Sequence, residues 1–83
     1  MKNSLYIYQN GELKRNDNTL LFMNDEGVKR AIPINNISEI YLFGENIINS
    51  KLVNFLSQND VLLHFFNYYS YYTASLIPRK SKI

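Results

Sequence analysis

Cysteine and tryptophan are missing from the 83 residues, and proline is scarce, with two residues in the whole chain. Without cysteine the chain can form neither a disulfide framework nor a cysteine-based metal site, and nothing argues for a secreted setting. We therefore expect a cytoplasmic protein. A strong charge of one sign is also lacking, because nine lysines and arginines face seven acidic residues. That small surplus is far from the basic balance of a dedicated nucleic-acid-binding domain.

Long apolar runs are absent as well. No stretch approaches the roughly 20 apolar residues of a membrane helix, and the N-terminal run is too short for a signal peptide. At 46% hydrophobic and 19% charged residues, the chain is too apolar to be disordered. A chain this short buries only roughly 60 to 65% of its unfolded surface, which suffices for one core. We predict a single β-rich domain over residues 1–78, followed by a basic tail over 79–83.

Turn-forming residues divide the first half of the chain into short segments. Asn10-Gly11, Asp17-Asn18 and Asp25-Glu26-Gly27 each supply residues that tolerate positive φ. The segments between these turns have the lengths of strands rather than helices: 5–8, 12–15, 19–23 and 28–34. An antiparallel meander is the natural prediction. Its fourth strand should end near Ile34, because Pro33 cannot donate to a β ladder and so belongs at the end or edge of its strand.

The second half combines strands with one helix. Residues 37–43 predict a fifth strand near the centre of the sheet. Apolar residues then recur at helical spacing, which predicts a helix over about residues 50–59 that Asn49 or Ser50 can cap. The almost continuous apolar run 61–66 is typical of a covered strand, so helix and strand suggest a crossover unit. A last strand over 71–77 ends at Pro78.

These elements predict a mainly β (α+β) fold, namely a small antiparallel β-sheet or sandwich domain with one short α-helix. The helix should cover an open face of the sheet. The predicted core consists of Leu5, Ile7, Leu21, Ile32, Ile40, Leu42, Leu52, Phe55, Leu56, Leu63, Phe65 and Leu76.

Patterns that indicate catalysis are missing. His64 is the only histidine, and no cysteine or carboxylate cluster lies near it in the sequence. We interpret it as a packed, hydrogen-bonded side chain rather than a metal ligand or general base. The carboxylates lie mostly in or beside predicted turns, and the three glycines fit no phosphate-binding spacing. We therefore assign no catalytic, cofactor-binding or metal-binding residue.

Two groups of residues are candidates for binding. Lys14-Arg15 and Lys29-Arg30 lie on strands expected to be neighbours, and with residues 79–82 they could form a phosphate-contacting face. Ordinary solvated strand surface explains the two pairs equally well.

The second group consists of Tyr68, Tyr69, Tyr71 and Tyr72, the densest aromatic cluster of the chain. Alternation along a strand forces some of these rings away from the core. A protein interface is the favoured use for them, and base stacking is the alternative.

Five segments of the sequence carry a family resemblance. They are 4–13, 32–34, 37–45, 55–59 and 64–69. In this order and spacing they resemble the N-terminal domain of the CRISPR-associated spacer-acquisition integrase, an endonuclease of the adaptation complex, in its type I-B versions. The resemblance implies a β domain followed by a larger helical domain, with residues 79–83 beginning the linker. It also implies a divalent metal, magnesium or manganese, held by side chains beyond residue 83, so that His64 is not the metal-binding histidine of the family.

The resemblance implies partners too. They are a second copy of the chain in a homodimer, a second small CRISPR adaptation protein, and a DNA duplex whose captured ends are joined into the CRISPR array by metal-dependent phosphoryl transfer. The β domain would then be a non-catalytic dimerisation and DNA platform, inactive as an isolated fragment. Two alternatives stay open: a stand-alone protein-interaction module without DNA chemistry, and a minimal nuclease whose metal site these residues do not supply.

Overall fold

A computed structural model describes residues 2–79 and contains two four-stranded sheets and one α-helix. The strands are β1 (Asn3–Ile7), β2 (Gly11–Asn16), β3 (Thr19–Asn24), β4 (Lys29–Pro33), β5 (Ile37–Phe43), β6 (Asn46–Ile47), β7 (Leu62–Phe66) and β8 (Tyr72–Leu76). The helix is α1 (Ser50–Gln58), and a 3-10 turn spans Ile34–Asn36. The predicted fold class, mainly β with one short helix, is confirmed.

The first sheet, called sheet A, has the strand order β1-β5-β7-β8 and is mixed. β1 and β7 both run parallel to β5, and only β8 is antiparallel to its neighbour. The prediction of antiparallel pairing is therefore wrong for three of these four strands. The physical reason lies in their connections, because β5 and β7 are joined by the crossover through α1 that a parallel pair requires. The predicted crossover and the central position of β5 are confirmed.

The second sheet, called sheet B, has the order β4-β3-β2-β6. β2, β3 and β4 form the predicted antiparallel meander, and β4 ends at Pro33. The two-residue strand β6 adds to β2 in parallel, which no pattern in the sequence predicted.

The chain passes from sheet A to sheet B at Asn10, where a hairpin between the first two strands was expected. The Asn10 side-chain oxygen accepts a hydrogen bond of 2.8 Å from the Glu45 N–H, and its carbonyl accepts one of 3.2 Å from the Asp25 N–H. Gly11 then packs so closely on β3 that a Cβ there would collide with the Met23 carbonyl oxygen. Asn10 thus links the turn after β5 to the turn after β3, and it separates the first two strands.

The helix lies where its periodicity placed it. The Asn49 side chain accepts a hydrogen bond of 2.9 Å from the Leu52 N–H, which confirms the predicted cap. Its apolar face, with Leu52, Phe55 and Leu56, is buried. No helix within residues 2–79 is long and apolar enough to cross a membrane.

The core fills the space between the two sheets and α1. Most predicted members are buried: Leu5, Ile7, Ile32, Ile40, Leu42, Leu52, Phe55, Leu56 and Leu63. Phe65 is half-buried and packs against them. Leu76 was predicted wrongly, because it lies on the edge strand β8 with 37% of its surface exposed. The prediction missed Leu13, Leu20, Phe22, Ile34, Ile37 and Val61, which are all buried.

Leu21 is the second wrong core residue. Its neighbours Leu20 and Phe22 are buried, whereas Leu21 is half-exposed on the outer face of sheet B. Three successive apolar residues fit either phase of strand alternation, and only the pairing of the strand decides which phase faces the core.

Adjacent leucines on β3 therefore provide a matched test of the core. Leu20→Ala should lower the free energy of unfolding by about 2 to 5 kcal/mol because it leaves a cavity among fully buried side chains. Leu21→Ala should cost about 1 kcal/mol or less. Urea denaturation followed by circular dichroism measures both values. Equal losses for the two variants would contradict the assigned face of β3.

Candidate interaction surfaces

The basic pairs do not lie on neighbouring strands, because β3 separates β2 from β4. Two successive hairpins put the middle strand between the outer ones. The two residues of each pair also lie on opposite faces of sheet B. Arg15 pairs with the buried Leu20, so it belongs to the inner face, whereas Lys14 pairs with Leu21 on the outer face. In the same way Arg30 lies on the inner side of β4 and Lys29 on the outer side.

Arg15 is already engaged within the domain. Its guanidinium carbon lies 4.6 Å from the centre of the Phe55 ring, and its Nε donates a hydrogen bond of 2.7 Å to the Asp17 carbonyl. These two contacts hold the guanidinium beside α1 on the inner side of β2. The outer face of sheet B thus presents the two lysines, Lys14 and Lys29, beside partly apolar surface. Arg79 is exposed, and the remaining basic tail lies outside the described residues.

All four tyrosines of the cluster are exposed, whereas alternation predicted exposure for only some of them. Tyr68, Tyr69, Tyr71 and Tyr72 have between 62% and 76% of their surface accessible. The Asn67 side-chain oxygen shapes their loop by accepting hydrogen bonds from the backbone N–H groups of Tyr69 and Tyr71. Such an Asx turn fixes the loop without using any tyrosine side chain, so the rings stay available.

A ladder of stacked rings covers the outer face of sheet A. In one row Tyr6 stacks on Tyr41 and Tyr41 on His64, each at a centroid distance of 4.8 Å. A second row stacks Tyr8 on Phe43 at 4.8 Å and Phe43 on Phe66 at 4.7 Å. These spacings equal the roughly 4.7–4.9 Å between neighbouring strands, so the rings stand upright and face one another.

The stacking decides what the ladder can bind. Ring faces inside each row are occupied by neighbouring rings, which leaves edges and hydroxyl groups toward solvent. Base stacking needs a free ring face, and the central rings of the two rows, Tyr41 and Phe43, have none because a neighbouring ring is stacked on each face. Tyrosine edges and hydroxyls suit a protein surface better. The geometry therefore favours a protein interface over base stacking on this face.

His64 lies at the end of the first row of the ladder, beside β8, and is hydrogen-bonded at both ring nitrogens, as predicted. Its Nε2 lies 2.8 Å from Glu39 Oε1, and its Nδ1 lies 2.7 Å from Ser75 Oγ. The Tyr41 hydroxyl donates a hydrogen bond of 3.1 Å to the same Glu39 oxygen, and the Tyr72 hydroxyl lies 2.8 Å from Ser75 Oγ. We name these five side chains the β5–β8 network. No pattern in the sequence predicted it, because its members are far apart along the chain.

Serine, histidine and glutamate in contact invite comparison with a hydrolase triad. In such triads a shaped pocket and oxyanion donors surround the nucleophile. Here Ser75 lies on an open sheet face, and its oxygen is also hydrogen-bonded to Tyr72. Residues 2–79 contain no group of three or more histidine, cysteine, aspartate or glutamate side chains able to hold a metal. The network is therefore a structural element of the surface, and the described residues do not fit a divalent metal.

The β5–β8 network shifts the pKa values of two of its side chains. Hydrogen bonds from His64 and then from Tyr41 lower the pKa of Glu39 below its usual value, against a smaller opposing effect of burial. Desolvation, followed by the hydrogen bond to Glu39, raises the pKa of Tyr41. Glu39 is therefore an ionised acceptor near neutral pH, which requires His64 Nε2 to carry a hydrogen.

Two adjoining clefts at the Asn10 turn form an acidic end of the molecule. Their volumes are about 440 and 430 Å³. The carboxylates Glu12, Asp25, Glu26 and Glu45 line them, and no lysine, arginine or histidine of residues 2–79 does. A phosphate backbone would be repelled there.

Comparison with known families gives this geometry a context. The family model described as CRISPR associated protein Cas1 matches residues 5–83. The chain belongs to the Cas1 family. The CRISPR-associated endonuclease Cas1 of Fusobacterium nucleatum is 46% identical over 83 residues, which are 100% of this chain and 25% of that protein. The chain therefore spans about a quarter of the length of the curated relatives it matches.

Solved structures agree with this assignment. A Cas1 protein from Thermotoga maritima superposes with a TM-score of 0.88 at 37% identity, over 94% of this chain and 25% of that one. Two structures share the fold alone, at 15% and 11% identity. They are a Cas1–DNA complex with a TM-score of 0.78, covering 99% of this chain and 32% of that one, and a partial Cas6-RT-Cas1–Cas2 complex with a TM-score of 0.82, covering 96% and 24%.

The lowered pKa of Glu39 predicts a specific dependence of stability on pH. Its carboxylate should stabilise the fold above about pH 4.5, and this contribution should be lost as the pH falls through the lowered folded-state pKa. Glu39→Gln should therefore melt at a lower temperature than the wild type at pH 6, with the difference shrinking toward pH 3. Thermal unfolding across that range measures the effect, with Glu26→Gln at an exposed turn as control. A pH-independent difference would contradict the prediction.

Proposed function

We propose that this chain is the non-catalytic dimerisation and DNA-platform domain of a CRISPR-associated, metal-dependent DNA endonuclease or integrase that inserts new spacers into the CRISPR array. The observation that carries the proposal is 46% identity to a CRISPR-associated endonuclease over the whole chain, which is only 25% of that relative. The rest of the longer protein would supply the chemistry. The divalent metal, magnesium or manganese, would be held there, because residues 2–79 offer no suitable ligand group.

Dimerisation is supported by the amount of exposed tyrosine. The four cluster tyrosines, together with Tyr6 at 51% and Tyr8 at 70% exposure, leave sheet A and its last loop rich in accessible aromatic surface. Aromatic residues are enriched at the centres of protein interfaces, where they contribute most of the binding free energy. A second copy of the chain is the partner that we propose for this surface, and a Cas2-type adaptation protein is the further partner of the assembly.

Charge supports the outer face of sheet B as the DNA platform in this proposal. Lys14 and Lys29 lie on that face, and the carboxylates of the Asn10 turn lie at its edge, next to the start of β4. Similarity to a Cas1–DNA complex supports a role near DNA. A cytoplasmic location is part of the proposal and agrees with the absence of cysteine.

A second candidate function is a module that binds protein without DNA. The acidic clefts at the Asn10 turn favour it, since they would attract a basic protein segment and repel phosphate. The salt dependence of DNA binding separates the two candidates.

The dimerisation proposal predicts self-association through the tyrosines. Analytical ultracentrifugation of the chain should show a dimer at micromolar concentration. Replacing two exposed rings, Tyr69→Ser with Tyr71→Ser, should raise its dissociation constant by roughly ten- to a hundredfold, since interface tyrosines act as hot spots. Val28→Ser removes an equally exposed apolar side chain from the β3–β4 turn and should leave the constant unchanged. A monomer at high concentration overturns the dimerisation proposal.

The DNA platform predicts a salt-dependent affinity for duplex DNA. In fluorescence anisotropy the logarithm of the binding constant should fall linearly with the logarithm of salt concentration. Lys14→Gln with Lys29→Gln should reduce that slope by about 2, close to one for each phosphate that a lysine no longer neutralises. Lys51→Gln, on the exposed side of α1, should leave it unchanged. A flat salt response in the wild type would favour the protein-binding alternative.

A further inference from the structure

The β5–β8 network has a defined direction of hydrogen bonding. Because Glu39 is an ionised acceptor, His64 Nε2 donates to it, and in the neutral ring Nδ1 is left as an acceptor. Ser75 then donates its hydroxyl hydrogen to Nδ1 at 2.7 Å. The Ser75 oxygen in turn accepts the hydrogen of Tyr72 at 2.8 Å. With His64 neutral, the hydroxyl hydrogen of Tyr72 therefore points into the network, and the lone pairs of the Tyr72 oxygen face solvent.

A β-bulge makes the last of these contacts possible. Residues three apart on a regular strand lie on opposite faces of the sheet, and so Tyr72 and Ser75 would normally be separated. The pairing of β7 with β8 shifts register between Phe65 and Phe66, so that Ser75 lies opposite His64 while Tyr72 lies opposite Phe66. The extra residue, Thr73, returns Tyr72 to the face that carries His64. Bulges commonly redirect a side chain in this way.

Protonation of His64 reverses the direction of hydrogen bonding from His64 through Ser75 to Tyr72. Nδ1 then carries a hydrogen and donates it to Ser75 Oγ, so the Ser75 hydrogen has to leave this nitrogen. Its other partner in the network is the Tyr72 oxygen at 2.8 Å. In the arrangement that keeps the Ser75 hydrogen within the network, Tyr72 becomes the acceptor of that bond, and its own hydrogen turns outward. Proton uptake at a ring with 18% of its side chain accessible thus changes the outermost hydroxyl of the network, on a residue that is 62% exposed.

We propose that the β5–β8 network is a proton-operated switch of the tyrosine interface, in which the charge of His64 sets, through Ser75, whether the Tyr72 hydroxyl presents lone pairs or a hydrogen to a second copy of the chain. The hydroxyl reversal stands on the geometry alone. Its consequence for association rests on the proposed dimerisation.

The groups that face His64 determine the direction of the effect on association. From β5 these are the carboxylate of Glu39 and the phenol of Tyr41, and from β8 they are Ser75 and Tyr72. With His64 neutral, Glu39 leaves a negative charge on this face, and a second copy brings another. Protonation of His64 neutralises that charge and removes the repulsion between the copies. The dimer should therefore bind more tightly at pH 5.5 than at pH 8.

The single histidine allows an unambiguous test of the relay. In an NMR titration of the tyrosine-labelled chain, the Tyr72 ring resonances should move with the same midpoint as the His64 ring, while those of Tyr69 stay constant. In Ser75→Ala the His64 ring should still titrate and the Tyr72 response should be lost. Ser57→Ala, on α1, should behave as the wild type. A Tyr72 ring that does not titrate in the wild type, or that still titrates in Ser75→Ala, overturns the switch.

Sedimentation of the wild type and of Ser75→Ala at pH 5.5 and 8 tests the consequence. Tighter association at pH 5.5 in the wild type, reduced in Ser75→Ala, supports the proposal. A dimer whose dissociation constant is the same at both pH values overturns the switch and leaves dimerisation intact. A chain that stays monomeric while Tyr72 follows His64 has the opposite meaning: it upholds the hydroxyl reversal and overturns the proposed dimerisation.

Discussion

The pairing of β1 with β5 is the constraint on which the other features depend. It is a parallel pair between segments about thirty residues apart, and it prevents β1 from forming a hairpin with β2. β2 is thereby released to start a second sheet, and Asn10 secures the passage by accepting the Glu45 N–H. The same pairing aligns Tyr6 with Tyr41, so it also creates the ladder of rings. The core, the separation of the two sheets and the aromatic surface therefore all depend on the pairing of β1 with β5.

Local chemistry predicted the elements well and their partners poorly. The fifth strand and the helix with its Asn49 cap were found where the sequence placed them, and β4 ends one residue before the predicted Ile34. Each rests on interactions within a few residues. Pairing between distant strands carries no local signature, and so β1 was assigned to the meander rather than to a parallel pair with β5. Leu21 was predicted in the core in place of Leu20 for the same reason. Only the register of strand pairing decides which of these two side chains faces the core.

The candidate surfaces show the same difference between local features, which the sequence predicted, and contacts between distant strands, which it did not. Alternation predicted that some tyrosines of the cluster would be exposed, and the hydrogen-bonded state of His64 followed from its apolar surroundings. The identity of its partners did not, because Glu39 and Ser75 reach it through the registers of two different strand pairs. The contact of Tyr72 with Ser75 also requires the β-bulge in the pairing of β7 with β8. A separation of three residues on a strand predicts opposite faces, so regular alternation would have excluded the contact that completes the network.

The charges of the domain follow from strand alternation. Lys14 and Lys29 lie on the outer face of sheet B, and Glu12 lies on the same face near the Asn10 turn. The carboxylates around this turn would repel a phosphate backbone, whereas the two lysines would attract it. On sheet A the rings of each row are stacked on one another, which leaves ring edges and hydroxyl groups toward solvent. The outer faces of the two sheets thus differ in chemistry because alternation directs lysines outward on one and aromatic rings outward on the other.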